Sequence, residues 1–193
     1  MTLRLATPDD AAAVRAVYAP HVTHSAVSFE TEVPPADEVA RRIGAALPAY
    51  PWLVAEDEAG VVGYAYAGPH RARAAYGWAA EVSVYVDARA QRRGVARALY
   101  AALLDLLAQQ GYALALAGIT LPNGPSVGFH EALGFRPVGV FPALGFKHGT
   151  WHDVGWWTLR LHDRTPPPPP VPLDPASPVV ASALARAAQT LAP

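Results

Sequence analysis

Residues 78–111 constrain the chain most strongly: an almost unbroken apolar run, WAAEVSVYV, then a tight turn at Asp87 to Arg89, the stretch QRRGVA, and a long helix. Val95, Ala98, Leu99, Ala102, Leu103, Leu106 and Leu107 recur at three- and four-residue spacing, the period of one buried helical face, and Gly111 supplies the stop. The residues ahead of that helix are poor choices for stability, because glycine is a weak helix former and adjacent arginines repel. An anion held at the helix start accounts for both. The first N–H groups of a helix lack internal partners and point forward, Gly94 lets an anion approach the backbone, and Arg92, Arg93 and Arg97 add charge. A strand–loop–helix of this kind suits a diphosphate. Neither G-x-x-x-x-G-K-[ST] nor G-x-G-x-x-G occurs, so a P-loop triphosphate and NAD are not indicated.

The remaining elements arrange themselves around this unit. Thr7-Pro8-Asp9-Asp10 reads as a helix start leading into AAAVRAVYAPHV, and a second helix follows Pro34-Pro35 through about Leu47. Strands are expected over 52–56, 61–68 and 78–86, with Asp57 to Gly60 as a hairpin turn between the first two. YALALAGI at 112–119 reads as a buried strand, a short helix follows Asn123-Gly124-Pro125 and stops at Gly134, and closing strands fall near 135–145 and 153–161. The order βααβββαβαββ implies a layered α/β domain with a mixed sheet. Residues 165–193 hold nine of the twenty prolines and no aromatic residue. They read as a proline-rich, disordered tail outside a domain of residues 1–164, its VVASALARAAQTLA too short a helix to hold alone.

At 193 residues the chain is long enough for one domain with a real core. A net charge of −1 gives no broad basic footprint for nucleic acid, and the absence of cysteine removes disulfides, thiolate nucleophiles and Cys-based zinc sites. No uninterrupted apolar run approaches a membrane span, and the start MTLRLATPDD lacks the apolar core of a signal peptide, so a soluble cytoplasmic protein is expected.

QRRGVA resembles the Q/R-x-x-G-x-G/A signature of the GNAT superfamily of acetyl-CoA-dependent N-acetyltransferases at every fixed position, with Ala96 in the last. Several further blocks are similar to the phosphinothricin N-acetyltransferase family and its relatives acting on methionine sulfoximine and methionine sulfone. These are SAVSFETE at 25–32, YPWLVAE at 50–56, GYAYAGPHRARAAYGW at 63–78, EVSVYV at 81–86, LPNGPSVGFHEALGF at 121–135 and KHGTWHDVGWW at 147–157. The resemblance implies a GNAT fold, a mostly antiparallel central sheet flanked by helices, with acetyl-CoA as co-substrate. It implies that the backbone of Val84, Tyr85 and Val86 pairs with the pantetheine arm and that Arg92, Arg93, Gly94, Val95, Ala96 and Arg97 cradle the diphosphate. Asn123 and Ser126 fall at cofactor-side positions, and His130 stands where most of the superfamily has a tyrosine acid.

Acetyl transfer to an amine requires a base, since an ammonium has no lone pair. Glu81 is the one carboxylate between Trp78 and Val86, in an otherwise apolar strand where burial would raise its pKa, and the family's catalytic glutamate maps onto it. Backbone N–H groups at a bulge near Val84 would serve the oxyanion. His130 is treated as catalytic in the family, with its role as acid, base or positioning group open. Arg71 and Arg73 follow Gly68-Pro69, and alternation would set both guanidinium groups on one side, suited to a carboxylate or phosphinate. Phe29, Thr31, Tyr76 and Tyr85 are pocket walls by the same resemblance. The expected substrate is a small anionic amino acid or analogue. A GNAT enzyme for another amine, such as a polyamine or protein N-terminus, and a catalytically silent acyl-CoA-binding module are the alternatives.

His148, His152 and Asp153 tempt a metal reading, but Gly149 and Thr150 oppose the helix that would align the histidines, so no metal is expected. KHGTWHD reads instead as a loop at the active site or a subunit contact. Trp151, Trp156 and Trp157 exceed what one strand buries on a single face, which suggests a homodimer.

Overall fold

The computed structural model describes residues 1–191. Seven strands form one sheet in the order β1-β2-β3-β4-β5-β7-β6: β1 Thr2–Leu5, β2 Trp52–Asp57, β3 Gly60–Pro69, β4 Ala79–Val86, β5 Leu114–Leu121, β6 Arg136–Lys147 and β7 Thr150–Arg160. Every neighbouring pair is antiparallel except β4 and β5. A parallel pair needs a crossover, and the helix α3, Val95–Gln110, supplies it. Val95, Ala98, Leu99, Ala102, Leu103, Leu106 and Leu107 are all buried, so the spacing marks the face that lies on the sheet. Gly111 closes the helix at φ 97°, a left-handed conformation that glycine adopts without strain.

The sheet separates two cores. On one face α3 packs over Val62, Ala65, Ala80, Val82, Ala115 and Ala117. On the other, α1 (Ala11–Thr23) and α2 (Ala36–Ala46) cover Val54, Val61 and Tyr64. Alternation along β4 therefore turns Ala80 and Val82 toward α3 and leaves Glu81, Ser83 and Tyr85 on the α1 side. A shorter helix, α4 (Gly124–Ala132), follows β5; the Asn123 side chain accepts from the Ser126 N–H at its start. The expected first helix begins as a 3-10 turn, Pro8–Asp10, which runs directly into α1.

The tail departs from its expected disorder. Residues 178–188 form a helix, α5, whose Val180, Ala183 and Ala187 are buried against the core that includes α3. The proline-rich connection is tied down on the way: Val171 N–H donates to Gln110 O at 2.8 Å, Leu173 N–H to Pro48 O at 2.8 Å, and Trp78 Nε1 to Pro168 O at 2.7 Å. Prolines keep their carbonyls as acceptors, so the segment can be strapped without a strand of its own. The helix is short, as the sequence implies, and tertiary burial holds it. Deleting residues 165–193 is expected to cost about 3 kcal/mol from Leu173 and the α5 face, a fall of roughly 6–12 °C in thermal midpoint. An unchanged midpoint would show that the packing contributes nothing.

KHGTWHD is likewise not a loop. Lys147 pairs with Thr150 across a two-residue hairpin turn, and His148 (φ 52°) and Gly149 (φ 77°) adopt the positive dihedrals that such a turn requires. β6 is irregular, with its register shifting between Pro137 and Gly139 and again between Phe141 and Gly145.

Candidate active site

Beyond Glu81, β4 and β5 part. Their pairing runs Ala79↔Leu114, Ala80↔Ala115 and Glu81↔Leu116 and then ends, while β4 stays paired with β3 through Gly63↔Val86. The β5-facing backbone groups beyond Glu81 are consequently left without a strand partner. The bulge expected near Val84 is absent: the β3–β4 register is uninterrupted from Gly63 to Pro69, and the parting of the strands is what frees the backbone.

That parting opens a cavity of about 410 Å³ lined by Val82 to Val86 of β4, Ala117 to Thr120 of β5, and residues of α3 and α4 that include Ala96, Tyr100, Asn123, Ser126 and His130. A second cavity of about 250 Å³ is lined by Arg92, Gly94, Val95 and Arg97 and shares Val86, Gln91, Ala96 and Phe129 with the first. The two form one channel, from the start of α3 into the split sheet. At its outer end Arg92 (φ 61°) and Gly94 (φ 80°) both adopt left-handed conformations, and no acceptor meets the N–H groups of Arg93 to Arg97 among the described residues. Such a concave row of free donors can seat an anion. Arg93 itself turns aside, its Nη1 4.0 Å from Asp57 Oδ2, and does not line the channel.

Glu81 is less buried than its strand context suggests: its side chain is 41 % exposed, because the sheet opens beside it. Its Oε1 lies 2.7 Å from Nδ1 of His70, a residue that the sequence gives no reason to single out. The pairing becomes visible only with the register Gly68↔Glu81, which brings the end of β3 beside the carboxylate. Arg71 and Arg73 follow in an exposed turn. Arg71 Cζ stands 5.7 Å from the Tyr76 ring centre, and neither arginine has a carboxylate partner among the described residues.

His130 is deeply placed. Its Nδ1 is 2.8 Å from the Ser126 carbonyl oxygen and its Nε2 is 3.2 Å from the Tyr100 hydroxyl. A carbonyl only accepts, so Nδ1 carries the proton and the Tyr100 O–H donates to Nε2. Burial pushes the imidazole below its ordinary range and the fully buried Tyr100 phenol above its own, so both stay neutral near pH 7. A depressed imidazole makes an acid-labile fold. Between the ordinary value of 6.5 and the lower folded value the unfolded chain binds more protons, so stability is complete above 6.5 and is lost as pH falls through that window. The thermal midpoint should therefore drop on going from pH 7.5 to 5.5, and a His130→Asn variant should show a shallower drop. Equal slopes would contradict the buried neutral histidine.

The other expected pocket walls divide. Tyr85 lines the channel, and its ring stacks on Tyr64 at 5.3 Å on the α1 side. Tyr76 is half-exposed beside His70. Phe29 packs on Gly145, where a Cβ would collide with its ring, and beside His152; Thr31 is exposed on the same linker. A contact that sequence reasoning missed anchors this linker: the buried Lys147 ammonium donates to Val22 O at 2.7 Å and Ser28 O at 2.6 Å. No cluster of three or more potential metal-ligating side chains occurs among the described residues, and none of their helices is long and apolar enough to cross a membrane.

Comparison with known proteins places this geometry. The acetyltransferase (GNAT) domain family matches residues 3–156. A phosphinothricin N-acetyltransferase of Streptomyces viridochromogenes is 44 % identical over 171 residues, 89 % of this chain and 93 % of that protein. An L-methionine sulfoximine/L-methionine sulfone acetyltransferase of Salmonella typhimurium is 33 % identical over 168 residues, 86 % of this chain and 98 % of that one. The crystal structure of a GNAT superfamily phosphinothricin acetyltransferase from Sinorhizobium meliloti in complex with acetyl-CoA superposes with a TM-score of 0.82 at 34 % identity, covering 87 % of this chain and 92 % of the other.

Proposed function

Because this chain belongs to the GNAT family and is an N-acetyltransferase, we propose that it transfers acetyl from acetyl-CoA to the α-amino group of a small anionic amino acid or analogue, with phosphinothricin and methionine sulfoximine or sulfone as the leading substrates. One observation carries this reading: the channel joins an anion seat at the start of α3 to a split in the sheet that begins at the Glu81 pairing. A long cofactor with a diphosphate at one end and a thioester at the other fits that shape. Arg92, Gly94, Val95, Ala96 and Arg97 would hold the diphosphate and the freed backbone of Val84 to Val86 the pantetheine amides, with Asn123 and Ser126 on the opposite wall. The thioester would then lie beside Glu81.

In this reading Glu81 takes a proton from the acceptor's ammonium. The free amine attacks the thioester carbon, unpaired β4 N–H groups stabilise the oxyanion, and the carbon–sulfur bond breaks. Thiols ionise at about pH 8.5, so the sulfur can leave as thiolate; the second proton, which the nitrogen loses as the amide forms, passes through water to that thiolate. His130 is then a positioning group: its one proton is committed from Nδ1 to a carbonyl and its Nε2 is occupied by Tyr100, so the neutral ring turns no proton toward the leaving sulfur. Arg71 and Arg73, unpaired and in the turn that follows β3, suit the acceptor's carboxylate or phosphinate and disfavour a polyamine.

We further infer that the enzyme is a cytoplasmic homodimer. Val138, Val140, Phe141, Phe146 and Trp151 on β6 and β7 are each more than half exposed, whereas Trp157 is buried. Exposed apolar side chains of this number on an edge hairpin suit a second copy of the chain. A Trp151→Glu variant is expected to run as a monomer by light scattering where the wild type runs as a dimer; a monomeric wild type would contradict the assignment.

The function is tested by following thiol release from acetyl-CoA with phosphinothricin, methionine sulfoximine, methionine sulfone, free amino acids and spermidine. Amine-dependent release with the anionic amino acids and little with spermidine is expected. Turnover with spermidine alone would point to a different acceptor, and none above hydrolysis with any amine to a silent acyl-CoA-binding module.

A further inference from the structure

The turn after β3 sets His70 against Glu81 in a way that goes beyond an incidental contact. An ionised carboxylate accepts only, so the 2.7 Å approach fixes Nδ1 as the protonated nitrogen donating to Oε1. Two aromatic rings from different parts of the chain hold the imidazole in place: Tyr76 meets it edge-to-face with centroids 5.7 Å apart, and Trp156 of β7 does the same at 5.7 Å. Trp156 in turn lies over Gly118 of β5, where even a Cβ would approach the indole to 3.4 Å, so the ring rests on the strand beside the split. His70 is only 16 % exposed. Glu81 has no other side-chain partner among the described residues, which leaves Oε2 free.

We propose that His70 is a positioning residue for Glu81: its Nδ1–H holds one carboxylate oxygen so that the other is presented to the acceptor's ammonium. A carboxylate at the mouth of an opened sheet would otherwise sample several rotamers, and proton transfer needs it within hydrogen-bond reach in one of them. The inference rests on the reading of Glu81 as the base.

His70→Ala, His70→Asn and Glu81→Gln, assayed side by side at saturating acetyl-CoA, separate the two ideas. Asparagine retains an N–H donor near the position of Nδ1–H. His70→Ala is expected to lower kcat about 10- to 100-fold with the KM for the amine within about threefold, as loss of an orienting partner does, and His70→Asn to recover kcat to within about fivefold of wild type. Unfolding midpoints should match wild type for both His70 variants. Full kcat in His70→Ala alongside an inactive Glu81→Gln would overturn the positioning role and leave the base assignment standing. A loss seen only in KM, or one that asparagine does not repair, would also overturn it. An active Glu81→Gln would remove the base assignment and this inference together.

Discussion

Glu81→Gln is expected to lower kcat about 10²- to 10⁴-fold near neutral pH while leaving the fold and acetyl-CoA affinity unchanged. The carboxylate stands on the α1 side of β4, exposed at the point where the strand leaves β5, and packs into neither core. Glutamine preserves size and the ability to accept from His70 but cannot take a proton. At pH above about 9, where a growing share of the amine is already free, part of the loss should be recovered, because the base is then dispensable. A variant with wild-type kcat from pH 6 to 9 would show that another group, or water alone, deprotonates the amine.

Gly94→Val should act on the cofactor instead. At φ 80° the residue sits where an L side chain costs about 1–2 kcal/mol and a β-branched one more, so the loop must rotate and carry the N–H groups of Arg93 and Gly94 out of line with those of Val95 to Arg97. The expected result is a rise of about 10- to 30-fold in the KM for acetyl-CoA with a much smaller change in kcat and in the KM for the amine. The residues of α3 that hold the core begin at Val95 and remain in place. A fall in thermal midpoint of only roughly 2–8 °C would therefore accompany the kinetic defect. Equal KM values for acetyl-CoA would mean that the diphosphate does not sit on this loop.

Much of this architecture was legible in the residues because period and stop signals agree there. α3 is an apolar helical repeat ended by glycine. What could not be read depends on pairing across the sheet. Placing Glu81 in an apolar strand suggested burial, yet exposure is decided by the neighbouring strand, which departs just past the Leu116 pair. His70 is a histidine in a polar turn with no periodicity, and only the antiparallel register of β3 and β4 brings it to the carboxylate. For His130, sequence placed the ring near the cleft but not its partners; Tyr100, the sixth residue of α3, occupies the nitrogen that an acid role would need. The tail is the reverse case. Val180, Ala183 and Ala187 carry the three- and four-residue spacing of a packed face, and the weight of nine prolines obscured it.

The central claim is that coenzyme A enters the split between β4 and β5 with its diphosphate on the α3 start and its thioester beside Glu81. A crystal structure with acetyl-CoA bound tests it most directly. The account predicts diphosphate oxygens within hydrogen-bond distance of N–H groups between residues 93 and 97, the pantetheine chain along Val84 to Val86, and the acetyl carbonyl in the opening past Glu81. Cofactor bound elsewhere, or those N–H groups turned away from it, would contradict the account.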